Sequence, residues 1–272
     1  MSLPVNDHHF AGAIPQIYES HLVPLIFEPY AADLAMRLAA RRPRRVLELA
    51  AGTGAVTRAL AAALPASVPL VATDLNSAML EQARVRGTPR PVEWRQADAM
   101  QLPFPDAAFD AVVCQFGLMF FPDKARAHAE VRRVLRPGGV YLFNVWDHIG
   151  ENEFADVTSQ ALATLFPQNS PRFMARTPHG YFDRAVIAAD LERGGFATIP
   201  GIETVALRSR AESARIPAVA YCQGTLLRTE IEALDRARLG EATDVATRAL
   251  TQRFGPGPVD GKIQAHVITI ER

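Results

Sequence analysis

Short apolar runs alternate with stretches of helical periodicity through the first half of the chain. From Leu22 to Arg42 apolar residues fall at helical spacing, Leu34 and Leu38 among them. Pro24 and Pro29 interrupt its first half, which predicts two short helices or one broken one, stopped at Pro43. Arg45 to Leu49 is a β-type run entering a glycine-containing turn, followed by a helical run from Ala55 to Leu64. The theme repeats with strands over Pro69–Thr73, Val92–Gln96, Phe109–Cys114 and Val140–Trp146. Helices are expected from Ser77 to about Arg86 and from Asp123 to Leu135, the latter closed by Pro137-Gly138-Gly139.

Five strands alternating with helices predict βαβ units, a parallel sheet and helices on both faces. An open, doubly wound sheet fits, because a closed eight-unit barrel needs more chain. The pattern then loosens. Residues 148–180 mix Pro167, Pro171 and Pro178 with aromatic residues and read as a lid or insertion. A helix over Asp183–Arg193 precedes a strand over Glu203–Arg208. A helical stretch from Ala211 to Ala249 follows, and a last strand runs Ala265–Ile270. The expected organisation is one domain over 1–272: an N-terminal helical segment (1–44), a ligand-binding core (45–147), and lid segments at 148–180 and 211–258.

Composition narrows the function classes. The chain has 272 residues, 49% hydrophobic and 21% charged, with 29 basic residues balancing 29 acidic ones. That balance argues against a dedicated nucleic-acid or acidic-membrane binder. Cys114 and Cys222 form neither a zinc knuckle nor a disulfide framework, which favours a reducing compartment. The start shows no basic region followed by an apolar core, so no signal peptide is expected. The longest apolar stretch, around Ala111 to Phe121, is too short for a bilayer and contains Gln115. A cytoplasmic protein with no transmembrane segment is the expectation.

The chemistry concentrates after the first strand. In Glu48-Leu49-Ala50-Ala51-Gly52-Thr53-Gly54 a strand feeds a glycine turn and then a helix, placing backbone N–H groups and the positive helix end at the sheet's C-terminal edge. In doubly wound sheets ligands dock there. A dinucleotide fingerprint needs a third glycine or alanine, and that position is Thr57. No G-x-x-x-x-G-K occurs, which removes phosphate-cradling NTPases. The carboxylate of Glu48 suits an ammonium or sulfonium group and would repel pyrophosphate. Asp74, ending the second strand, can accept from both ribose hydroxyls; its alternative role is capping the Ser77 helix. Asp98, ending the third, can accept from an adenine amine or form an Asx-turn. A nicotinamide-dependent oxidoreductase is the runner-up enzyme class, and a non-catalytic binding module stays open.

These residues resemble the class I S-adenosylmethionine-dependent methyltransferases through VLELAAGTGAVT (46–57), TDLNSAMLEQA (73–83), ADAMQLPFPDAAFDAVVCQFGLMFFPD (97–123) and RVLRPGG (133–139). The stretch FGLMFFPDKARAHAEVRRVLRPGG is similar to ubiquinone/menaquinone C-methyltransferases, and phospholipid N-methyltransferases share the core. The resemblance implies a Rossmann-like, doubly wound, mainly parallel seven-stranded sheet with helical insertions. It implies S-adenosyl-L-methionine as cofactor. Its methionine part would lie on Glu48, Leu49, Ala50, Gly52, Thr53 and Gly54, and its ribose on Asp74. Leu75 and Met79 would pack on adenine beside Asp98, Ala99 and Met100, with Gln115 and Phe116 facing the sulfonium. Ala50 replaces the family's usual first glycine.

The acceptor implied is a small molecule or a lipid-like or quinone compound, with no nucleic acid and a homodimer left open. Tyr18, Trp146, Tyr221 and Arg228 are the candidate substrate residues. No general base emerges; Tyr18, His21, Gln115 and His148 are candidates by type alone, and no metal-ligand spacing appears.

Overall fold

The computed structural model describes residues 12–272. Helix α1 (Ile14–Ile17) runs through a π-helical segment (Tyr18–Phe27) into α2 (Glu28–Ala40). Strand β1 (Val46–Leu49) is followed by α3 (Ala55–Ala63), β2 (Leu70–Asp74), α4 (Ser77–Arg86), β3 (Glu93–Gln96) and β4 (Phe109–Gln115). Next come α5 (Lys124–Val134), β5 (Leu135–Trp146), α6 (Glu153–Leu165), α7 (Phe173–Arg176), α8 (Arg184–Arg193) and β6 (Gly201–Ala211). The chain ends with α9 (Arg215–Gly224), α10 (Leu227–Asp235), α11 (Leu239–Phe254) and β7 (Val259–Glu271).

The seven strands form one sheet in the order β3-β2-β1-β4-β5-β7-β6. The first five pair in parallel, and β7 runs antiparallel to both β5 and β6. Strand β1 lies at the switch point, flanked by β2 and β4, so its C-terminal turn opens into the crevice where such sheets bind ligands. Successive residues feed two cores. Val46, Ala111, Val113, Val140 and Leu142 pack with Leu34, Leu38 and Leu60 from α2 and α3. Their neighbours Leu47, Leu49, Val112, Cys114, Tyr141 and Phe143 face the opposite layer, with Val131 of α5, Leu191 of α8 and Phe154 of α6. That alternation is the period-two signature of a sheet buried on both faces.

Four regions depart from the sequence expectation: the N-terminal segment, β5, the β6–β7 pair and the 148–180 stretch. The N-terminal segment is helical without a break from Ile14 to Ala40, not two helices. Pro24 sits inside the π-helical stretch, whose i→i+5 pattern removes the proline's clash with the carbonyl of an ordinary α-turn. Strand β5 begins at Leu135, so Arg136-Pro137-Gly138-Gly139 belongs to the strand, with an irregular register opposite Phe109 and Ala111. The last two strands extend to a continuous ladder from Gly201↔Thr269 to Ala211↔Val259. Residues 148–180 contain the thirteen-residue α6 as well as loop. Phe154 of α6 packs on Gly261, where an added Cβ would lie 2.7 Å from its ring.

Candidate active site

The turn after β1 is built from left-handed backbone. Ala50, Gly52 and Gly54 have φ of 50°, 56° and 87°. Gly54 must lack a side chain, because a Cβ would lie 3.0 Å from Trp94. Ala50 holds its left-handed conformation at a cost of roughly 1–2 kcal/mol. Its methyl fits because the facing residue is Gly117, where a second Cβ would come within 2.5 Å.

Asp74 ties this turn to β2. Its Oδ2 accepts the Gly52 N–H at 2.8 Å and its Oδ1 the Asn76 N–H at 2.7 Å. The cap of α4 is Asn76, which accepts from the Ala78 N–H at 3.0 Å, so the capping role considered for Asp74 is overturned. Burial raises the Asp74 carboxyl above its ordinary value. Glu48 is 2% exposed, and burial pushes its carboxyl up to about 8 against the pull of Thr57 and Arg58. Its Oε2 has no hydrogen-bond partner among the described residues.

A cleft of about 250 Å³ opens at the C-terminal ends of β1, β2 and β4. It is lined by Ala50 and Gly52 of the turn after β1, by Asp74, Leu75 and Met79, by Asp98, Ala99 and Met100, and by Gln115 and Phe116. Asp98 also accepts the Met100 N–H at 2.8 Å, so the Asx-turn and a place in the cleft coexist. Glu48, Leu49, Thr53 and Gly54 are not among its lining residues. Sequence reasoning missed Gly117, Phe120, Phe121 and Pro122, which close the same cleft. Their signal was an apolar run continuing past the end of β4, too apolar for an exposed loop. Tyr18 reaches over the opening from the π-helical segment.

That segment is fastened to the turn. Arg58 donates to the Thr53 carbonyl at 2.7 Å and to Glu19 at 2.9 Å. Glu19 is 9% exposed at its side chain and also faces Arg86 at 3.3 Å.

A second, apolar chamber of about 60 Å³ adjoins the cleft, sharing Tyr18, Phe116 and Phe120 with it. Trp146 and Tyr221 line it with Phe173, one of the aromatic residues of the 148–180 stretch; Phe27 and Thr225, which the sequence did not single out, line it as well. Phe116 and Trp146 stack at 3.7 Å with 3° between their planes. Its walls come from the π-helical segment, the 148–180 stretch and α9, so both insertions meet at the sheet's C-terminal edge.

Three sequence candidates lie elsewhere. Arg228 is engaged by Glu232 at 2.8 Å along α10 and lines neither cavity. His21 bonds to Ser20, and His148 accepts the Gly150 N–H at 3.1 Å; neither lines a cavity. Gln115 is held by the Phe27 carbonyl, to which it donates at 3.2 Å. Among the described residues no three His, Cys, Asp or Glu side chains gather as a metal site, and no helix is long and apolar enough to cross a membrane.

Comparison with known proteins agrees with this geometry. A family model described as "Methyltransferase domain" matches residues 47–143. The demethylmenaquinone methyltransferase of Thermus thermophilus is 44% identical over 111 residues, covering 40% of this chain and 49% of that one. The ubiquinone/menaquinone biosynthesis C-methyltransferase of Ectopseudomonas mendocina is 32% identical over 178 residues, 60% of this chain and 70% of that one. The chain spans under half the length of the first curated relatives it matches, 42%, 49% and 42%. Among solved structures, phosphoethanolamine N-methyltransferase 2 of Haemonchus contortus superposes with a TM-score of 0.55 at 18% identity, over 96% of this chain and 56% of that one. The fold is the same. The oxidoreductase alternative is not favoured: the turn lacks the third glycine, and the family that matches is a methyltransferase family. The chain belongs to the class I S-adenosylmethionine-dependent methyltransferases.

Proposed function

We propose that this protein transfers a methyl group from S-adenosylmethionine to an uncharged small-molecule or quinone-like acceptor seated in the aromatic chamber. The observation that carries the reading is the junction of the two cavities at Tyr18, Phe116 and Phe120. The residues present fit the cofactor. The orphaned Glu48 oxygen lies beside the turn where a cationic amino-acid group would dock, and Asp74 faces the position of a ribose. Met79 and Ala99 supply apolar walls for a purine, with Asp98 beside them. The site residues named from the sequence, apart from Arg228, His21 and His148, are part of this proposal.

S-adenosylmethionine, when bound, would supply an already activated methyl whose sulfonium sulfur is the leaving group. The chain's own contribution is orientation and exclusion of water. Holding nucleophile and methyl in line contributes on the order of 7–11 kcal/mol. Among the described residues the chamber lining holds no carboxylate, histidine, lysine or arginine. An anionic headgroup would find no counter-charge among them, which favours a quinone-like or other neutral acceptor over a phospholipid one. The quinone names of the relatives point the same way. A reducing, cytoplasmic setting belongs to the same reading, supported by two buried free cysteines. The test is titration calorimetry. S-adenosylhomocysteine binding with no response to NAD is expected, and NAD binding without S-adenosylhomocysteine binding overturns the proposal.

A further inference from the structure

Two polar side-chain groups of the aromatic chamber's lining make no hydrogen bond to a described residue, the Trp146 indole N–H and the Tyr221 hydroxyl, and only the hydroxyl sits on an insertion outside the sheet. Buried tyrosines elsewhere in the molecule satisfy their hydroxyls: Tyr30 donates to the Val205 carbonyl at 2.8 Å, and Tyr181 to Asp190 at 2.8 Å. The Tyr141 hydroxyl lacks a partner, but it is sealed within the core. Tyr221 is different. It is 2% exposed and stands in the wall of the chamber, and its hydroxyl makes no hydrogen bond to any described residue. Unlike the Tyr141 oxygen, the Tyr221 oxygen is not among the fully enclosed unpartnered atoms, as expected for a group bordering open space.

The backbone around Tyr221 is fixed. Its carbonyl accepts the Thr225 hydroxyl at 2.7 Å, and the same Thr225 oxygen accepts the Leu227 N–H at 3.1 Å, closing the α9–α10 corner. The ring is therefore held while its hydroxyl is left free. Burial raises the phenol's pKa, so it stays protonated at neutral pH and acts as a donor.

We propose that Tyr221 positions the methyl acceptor by donating a hydrogen bond to an oxygen atom on an otherwise apolar, uncharged molecule in the Phe116–Trp146 chamber. The proposal rests on the methyltransferase reading and adds to it the recognition element. Among the described residues the lining carries no charge, and a donor there gives orientation that apolar contact cannot, because a missing partner leaves the donor unpaired. The small volume, about 60 Å³, means that the chamber takes the reacting end of the acceptor, with any remainder extending outward.

The experiment deletes the same hydrogen bond from each side. With S-adenosylhomocysteine bound, 4-fluorophenol and fluorobenzene are titrated by fluorine NMR into the wild type and into Tyr221→Phe. The preference for 4-fluorophenol over fluorobenzene is expected to fall about fivefold or more in the variant, from the ordinary worth of one hydrogen bond. The variant's melting temperature is expected to be unchanged or higher, and its affinity for S-adenosylhomocysteine unchanged. Equal preference in the two proteins overturns the proposal. So does a lowered melting temperature with unchanged preference, which marks Tyr221 as structural, and so does absence of 4-fluorophenol binding to the wild type. Failure of S-adenosylhomocysteine to bind at all instead removes the methyltransferase reading beneath it.

Discussion

Replacing Glu48 by glutamine should move stability and cofactor affinity in opposite directions. The carboxyl titrates at about 8 in the folded chain against an ordinary 4.5, a difference of about 5 kcal/mol against ionisation. The folded pKa is raised, so the stabilising contribution is complete below pH 4.5 and is lost as pH climbs to 8. At pH 7 the unfolded carboxyl is ionised and the folded one largely neutral, which penalises the folded apoprotein by up to about 3 kcal/mol. Glu48→Gln removes that titration. Urea denaturation at pH 7 should then show the variant more stable, with about 3 kcal/mol as the ceiling, and the difference should vanish near pH 4.5. Binding should respond the other way. A charge-assisted bond to the cofactor's ammonium is worth about 1.5–3 kcal/mol, so S-adenosylhomocysteine should bind roughly tenfold to a hundredfold more weakly. Wild-type binding below pH 8 should also release a proton, read from calorimetry in buffers of different ionisation enthalpy, and the variant should release none from this group. A variant that is less stable at pH 7 and binds with unchanged affinity would refute the argument, showing Glu48 to be a purely structural acid.

Three further outcomes are expected. Asp74→Ala should weaken S-adenosylhomocysteine at least tenfold and also cost roughly 1–3 kcal/mol in denaturant titrations, because the Gly52 and Asn76 N–H groups lose their acceptor; unchanged affinity by calorimetry sinks the ribose role. His128 is buried with both ring nitrogens unpartnered and its pKa lowered to about 4, so stability should fall as pH drops from 6.5 towards 4, by up to about 3 kcal/mol; His128→Leu should flatten that acid limb in thermal melts. Gly117→Ala should destabilise the protein by driving a Cβ into Ala50 and the Cys114 sulfur. The loss should shrink by 0.5 kcal/mol or more, on the order of neighbouring-site coupling, in an Ala50→Gly background; strictly additive effects would show that the two residues do not share the space.

The sequence by itself determined the part of the molecule that is local in the chain. The β1 turn was legible because a short β-type run, the Gly52 and Gly54 pair and a following helical period each follow from contiguous residues. The acids at successive strand ends were legible for the same reason, since a parallel sheet brings all its strand ends to one edge. Tertiary structure decided the rest. Pro24 reads as a helix break until the surrounding apolar residues are seen to pack against the sheet and hold a π-helical detour. Arg228 reads as a pocket cation until α10 places Glu232 one turn away. The aromatic chamber draws on Phe27, Phe116, Trp146, Phe173 and Tyr221, which are far apart in sequence and carry the same apolar signal as any core residue. Periodicity reports which side of an element is apolar. Whether that side meets another side chain or an open cavity is fixed only when the elements pack, so the chain could name Tyr18, Trp146 and Tyr221 one by one but not show that they share a chamber with Phe27 and Thr225.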